Sequence, residues 1–188
     1  MESMETNTHE VVVIGAGGRG AQTTGQVLAH AGVSRYKHVL WSGSYFAALR
    51  GAASDCIVVF SDKEIYCPWP ESVEALIGLE PRRWKEFEGM LRPGGLVLME
   101  QEGKANAERQ DIRVYSIPAL TVARALGSLL AANFVLLGAY VTLTRILPIE
   151  ACEEAIKQRF SGQPRELNIL ALRRGTIIGR ELQADGGK

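Results

Sequence analysis

Three cysteines, Cys56, Cys67 and Cys152, are all that the 188 residues contain, without Cys-x-x-Cys spacing and without a histidine beside them. They suit neither a disulfide framework nor a zinc site, and a reducing cytoplasm is the expected location. Histidines are as few. His9, His30 and His38 do not cluster, so no metal centre is expected. Excess charge is missing too: 21 Lys+Arg stand against 21 Asp+Glu, which gives no electrostatic reason to expect nucleic acid or an anionic membrane as partner. The longest apolar run, LLAANFVLLGAYVTL (Leu129 to Leu143), has 15 residues and includes Asn133 and Gly138. That is short for a membrane span and reads as a buried helix. No lysine- or arginine-led apolar segment opens the sequence, so secretion is not expected.

Several catalytic motifs are also incomplete. No lysine follows the glycines near the start, so there is no P-loop. Gly43-Ser44-Tyr45-Phe46 lacks the second glycine of a nucleophile elbow. Asp185-Gly186-Gly187 has no asparagine pair behind it and cannot make a thiamine diphosphate site.

What is present is an ordinary globular composition, 46% apolar and 22% charged, with apolar runs of two kinds. Val11–Ile14, His38–Trp41, part of Ala53–Asp62, Val73–Leu79, Leu96–Met99 and Val114–Ile117 read as strands, rich in Val and Ile as in a parallel sheet covered on both faces. Ala21, Gly25, Leu28 and Gly32 recur at helical spacing and give a helix whose packing face is small enough to approach a sheet closely. Pro81, Trp84, Phe87 and Leu91 suggest another helix, stopped by Pro93-Gly94-Gly95. Gln101–Gln110 reads as a polar loop. The last third reads as helices over roughly 120–126, 130–146, 149–160 and 167–173. The expectation is one doubly wound α/β domain over residues 11–180, with a mainly parallel Rossmann-like sheet, helices on both faces and a helical C-terminal third. Residues 1–10 and 181–188 are expected to be loose termini.

VVVIGAGGRGAQTTGQVLAHAG, Val11 to Gly32, carries the one recognisable loop. Gly15, Gly17 and Gly20 fit Gly-x-Gly-x-x-Gly between a strand and a helix, where exposed N–H groups attract an anion. A dinucleotide site also needs an acidic residue at the end of the second strand to hold the ribose hydroxyls. Here that strand runs into Trp41-Ser42-Gly43-Ser44. A free-standing NAD(P)-dependent oxidoreductase is therefore the lesser alternative. A loop that serves packing, an interface or a phosphate fits the residues equally well.

Three segments in order narrow the choice: GAGGRGAQTTGQVLA (Gly15 to Ala29), SYFAALRGAASDCIVVFSD (Ser44 to Asp62), and VYSIPALTVARALG followed by AANFVLLGA (Val114 to Ala139). Together they resemble the γ subunit, or γ domain, of the 2-oxoacid:ferredoxin oxidoreductases of pyruvate, 2-oxoglutarate, 2-oxoisovalerate and indolepyruvate. The resemblance implies a cytoplasmic hetero-oligomer with α and β subunits, sometimes a ferredoxin-like δ subunit, and ferredoxin as electron acceptor. It implies thiamine diphosphate, Fe–S clusters and CoA in the complex, with none bound by this chain alone, and no catalytic residue in it. Cofactor-binding or interface roles then fall on Gly15, Gly17, Gly18, Arg19, Gly20, Ser44, Tyr45, Arg50, Gly51 and Asn133. Two departures stand out. Arg19 replaces the family's glutamine, and the usual glycine pair after Arg50 is Gly51-Ala52. Arg50 would hold a CoA phosphate, a carboxylate or only a local ion pair. Asn133, inside an apolar helix, is expected to be hydrogen-bonded to a neighbouring connection or across an interface.

Overall fold

The computed structural model describes residues 8–43, 53–102 and 109–185. Six strands form one sheet: β1 (Thr8–Ile14), β2 (His38–Gly43), β3 (Cys56–Ser61), β4 (Val73–Gly78), β5 (Leu91–Glu100) and β6 (Arg113–Ile117). Their spatial order is β2-β3-β1-β4-β5-β6. β1, β4, β5 and β6 pair in parallel, whereas β3 runs antiparallel to both of its neighbours. The sheet is thus mainly parallel, with one reversed strand set between β1 and β2.

Successive side chains of a strand point to opposite faces, and the two faces bury different partners. Val11 and Val13 of β1, with Val58, Ala75, Ile77, Leu96 and Leu98, meet the helices. These are α1 (Ala21–Gly32), α2 (Ala119–Ala125), α3 (Ala132–Thr144), α4 (Ile149–Arg159) and α5 (Gly162–Asp185), and all five contribute to this one cluster. Val12 and Ile14, with Ile57, Leu76, Val97 and Met99, pack instead on Trp84, Leu91 and Ile112. Helical cover on that second face is reduced to two 3₁₀ turns, Trp84–Glu86 and Glu88–Met90. A register slip of one residue would exchange the two faces throughout.

The predicted packing face of α1 is observed. Ala21, Gly25, Leu28 and Gly32 are all buried. A Cβ on Gly25 would lie 2.3 Å from Cys56 Sγ, and one on Gly32 would lie 2.1 Å from the Phe60 ring. α3 is buried continuously from Ala132 to Val141. It is pressed against α5 so closely that a Cβ on Gly138 or Gly175 would stand 2.0 Å from the Leu172 or Val135 carbonyl oxygen.

Four boundaries differ from the sequence reading. The helix expected from Pro81 to Leu91 is two short turns, because Trp84 is drawn under the sheet while Arg83 reaches back to Asp55. Pro93-Gly94-Gly95 lies inside β5 rather than ending a helix; Gly94 adopts φ +79° and its N–H donates to the Asp111 carbonyl. The segment expected over 167–173 is a helix of 24 residues, since Gly175 and Gly179 continue the contact with α3. The termini are shorter than 1–10 and 181–188: Thr8–Glu10 pair with β3, and α5 reaches Asp185. The middle of the expected polar loop, residues 103–108, lies outside the described residues.

Candidate functional site

At the C-terminal end of β1 the chain turns through Gly15–Gly20 into α1. Gly18 and Gly20 sit at φ +82° and +86°, where a side chain is strained, so these two positions require glycine for the turn. Gly15 answers to packing: a Cβ there would lie 2.3 Å from that of Ala21.

Gly15 and Arg19, near the two ends of the turn, find their partners within the chain. Gly15 N–H donates to Asp55 Oδ1 at 3.0 Å, and its carbonyl accepts from Ser54 N–H and Arg83 Nη1, both at 3.0 Å. Arg83 closes a fork on Asp55, Nη1 to Oδ1 and Nη2 to Oδ2, each at 2.8 Å, and also donates to Glu86. These bonds, those to Asp55 foremost, raise the Arg83 guanidinium further above its ordinary range. Arg19 N–H closes a turn on Ala16, and its carbonyl accepts from the Asn133 side-chain amide. The Arg19 side chain is more than half exposed and pairs with Glu80 at 3.2 Å.

This arrangement explains the missing ribose carboxylate. The reversed β3 stands between β1 and β2, so the end of β2 is not beside the loop. The place next to β1 belongs to the start of β3, where Asp55 is spent on Gly15 and Arg83. A dinucleotide would meet a first glycine amide that is already bonded.

Beside the loop lies a cavity of about 600 Å³. Gly17, Gly18 and Gly20 form one wall with the first turn of α1, and Ser54 lies at another. Leu130, Phe134, Phe160 and Leu167 supply its apolar side. Among the described residues no charged side chain lines it. The structure thus divides the predicted residues: Gly17, Gly18 and Gly20 face the cavity, Gly15 and Asn133 brace the turn, and Arg19 turns to Glu80. Ser44, Tyr45, Arg50 and Gly51 lie outside the described residues.

Sequence reading missed Asp55, Arg83 and the cavity residue Asn168. A carboxylate immediately before the apolar run Cys56–Phe60 was a signal for the first, but nothing local ties it to an arginine 28 positions on. Asn168, between Leu167 and Ile169, was visible as a polar residue in an apolar setting.

The cysteines do not form a ligand set. Burial pushes the Cys56 and Cys152 thiols up to about 12, which keeps them protonated, and Cys67 is exposed and distant in sequence. Among the described residues no three His, Cys, Asp or Glu side chains converge as metal ligands. No helix among them is long and apolar enough to cross a membrane.

Known proteins share this architecture along nearly the whole chain. Residues 10–177 match the family described as pyruvate ferredoxin/flavodoxin oxidoreductase. The 2-oxoglutarate synthase subunit KorC of Methanothermobacter marburgensis is 31% identical, over 95% of this chain and 98% of that one. Ketoisovalerate oxidoreductase subunit VorA of the same organism is also 31% identical over 91% of this chain, which spans only 36% of that longer relative. The keto/oxoacid ferredoxin oxidoreductase γ subunit of Geobacter sulfurreducens superposes with a TM-score of 0.79 at 27% identity, covering 92% of this chain and 99% of that one. On the match over residues 10–177 and the likeness to KorC, the chain belongs to the pyruvate ferredoxin/flavodoxin oxidoreductase family.

Proposed function

We propose that the chain serves as the γ subunit of a cytoplasmic 2-oxoacid:ferredoxin oxidoreductase. The assembled enzyme would convert a 2-oxoacid and CoA to acyl-CoA and CO₂, with two electrons leaving to ferredoxin. α and β subunits, and a ferredoxin-like δ subunit where one exists, would hold thiamine diphosphate and the Fe–S clusters. The observation that carries this reading is the likeness to KorC along the full length of both chains. The bracing of Gly15 by Asp55 and of the Arg19 carbonyl by Asn133 supports it over a free-standing dehydrogenase.

Residues 11–180 would act as one γ-type domain. Ser44–Ala52, including Tyr45, Arg50 and Gly51, and the helical C-terminal third would meet the partner subunits. The test is co-expression with candidate α and β subunits. Co-purification, together with CoA-dependent ferredoxin reduction that disappears when this chain is omitted, is expected. A chain that elutes alone, with activity intact in its absence, would refute the reading.

A further inference from the structure

Beyond its place in an assembly, we propose that the cavity beside the glycine turn is a binding site for a small monocarboxylate with an apolar or aromatic body. Three observations carry the proposal. First, α1 is a helix of 12 residues whose N-cap, Gly20, offers no side chain and whose first turn has no acidic residue. Its N-terminal amides, with Ala21, Gln22 and Thr23 at the cavity wall, favour an anion. Second, Asn168 lines the same cavity, is only 7% exposed and makes no hydrogen bond with any described residue. The other buried polar side chains, Glu10, Thr24, Asp55, Ser61, Glu100, Asn133 and Thr176, each have at least one partner. The Asn168 amide, reached from the cavity, is available to bond a polar ligand atom there.

Third, the lining sets the ligand's charge and shape. A helix end carries about half a unit of positive charge, and among the described residues no lysine, arginine or histidine lines the cavity to add to it. A pyrophosphate or a 3′-phosphorylated nucleotide would bring several negative charges to a lining whose described residues hold no cation to neutralise them. One carboxylate is matched. Its body would lie against Leu130, Phe134, Phe160 and Leu167, where the Phe134 and Phe160 rings meet edge to face at 5.8 Å. The volume of about 600 Å³ admits a ligand of this size with room to spare.

The test is titration of the full chain with phenylacetate, followed by calorimetry and thermal shift. Acetate, benzyl alcohol, inorganic phosphate and CoA serve as comparison ligands. Phenylacetate is expected to bind and to raise the melting temperature, with acetate and benzyl alcohol at least about tenfold weaker, since each lacks one half of the recognition. Asn168→Ala should weaken binding by about tenfold while keeping a good helix former in place. Thr23→Asp places a carboxylate on the same helix end. It should abolish phenylacetate binding without lowering the melting temperature, a pairing that misfolding cannot imitate. Absence of phenylacetate binding, displacement by equimolar phosphate or CoA, or unchanged affinity in Thr23→Asp would each overturn the proposal. The subunit reading is judged separately, by co-purification of the same Thr23→Asp chain with its partners.

Discussion

Each end of the sheet holds a buried carboxylate facing an arginine, and the two pairs are built to different standards. At the glycine end both oxygens of Asp55 accept from Arg83, and Oδ1 also takes the Gly15 N–H. At the opposite end Glu10, first in the run of buried β1 residues, receives Arg92 Nη2 on Oε1 at 2.8 Å, while Oε2 is buried with no partner among the described residues. Burial, only partly offset by Arg92, raises the Glu10 pKa. A charge taken out of water is stabilising only when its hydrogen bonds are replaced. The chain has satisfied that condition where the backbone turns tightly through glycines and left it incomplete where a strand merely begins.

Isosteric amides should expose the difference most strongly. Asp55→Asn turns an amide donor toward Arg83 and breaks a fully bonded buried pair, a loss of about 3–5 kcal/mol in urea denaturation. Asn133→Ala removes the tie between α3 and the Arg19 carbonyl and should cost about 1–3 kcal/mol, with hydrogen exchange accelerated over residues 16–20.

Glu10→Gln should have the opposite sign. Because the folded Glu10 pKa is raised, its contribution to stability is complete below the ordinary carboxylate range and is lost as pH rises through the folded value. The variant should therefore match the parent near pH 4 and exceed it at neutral pH. Equal stability at both would break the comparison.

The smallest effect belongs to the surface. Arg173 donates to both oxygens of Glu153 across α4 and α5 and holds that carboxyl below its ordinary range. That contribution is present above the ordinary carboxylate range and is lost as pH falls through the lowered value. Arg173→Gln should be slightly less stable than the parent at neutral pH, the gap closing in acid, and salt should shrink it further.

The contrast also marks what the sequence could reveal. Periodicity was enough for β1, β3 and α1, because Val11–Ile14, Cys56–Ser61 and the Ala21/Gly25/Leu28/Gly32 stripe each carry their own burial pattern, whereas β4 is ambiguous on period and reads as a strand only from the turn-forming segments on either side. Asn133 was legible as a bonded polar residue because few other outcomes are tolerated inside so apolar a helix. The reversal of β3 was not legible, since strand direction is fixed by the path of the connections and leaves no periodic trace. With it went the Asp55–Arg83 fork, which exists only because the reversed strand brings its first residues beside Gly15. α5 was cut short for a related reason. Arg173, Arg174 and Gly175 read as a helix end until Gly175 is seen to be the contact point for Val135.

The central claim is that the glycine turn is braced by the chain itself and holds no dinucleotide. Isothermal titration of the purified chain with NADH and NADPH tests it most directly. The account predicts no binding heat with either. Saturable binding in the micromolar range would contradict it and restore the dehydrogenase reading.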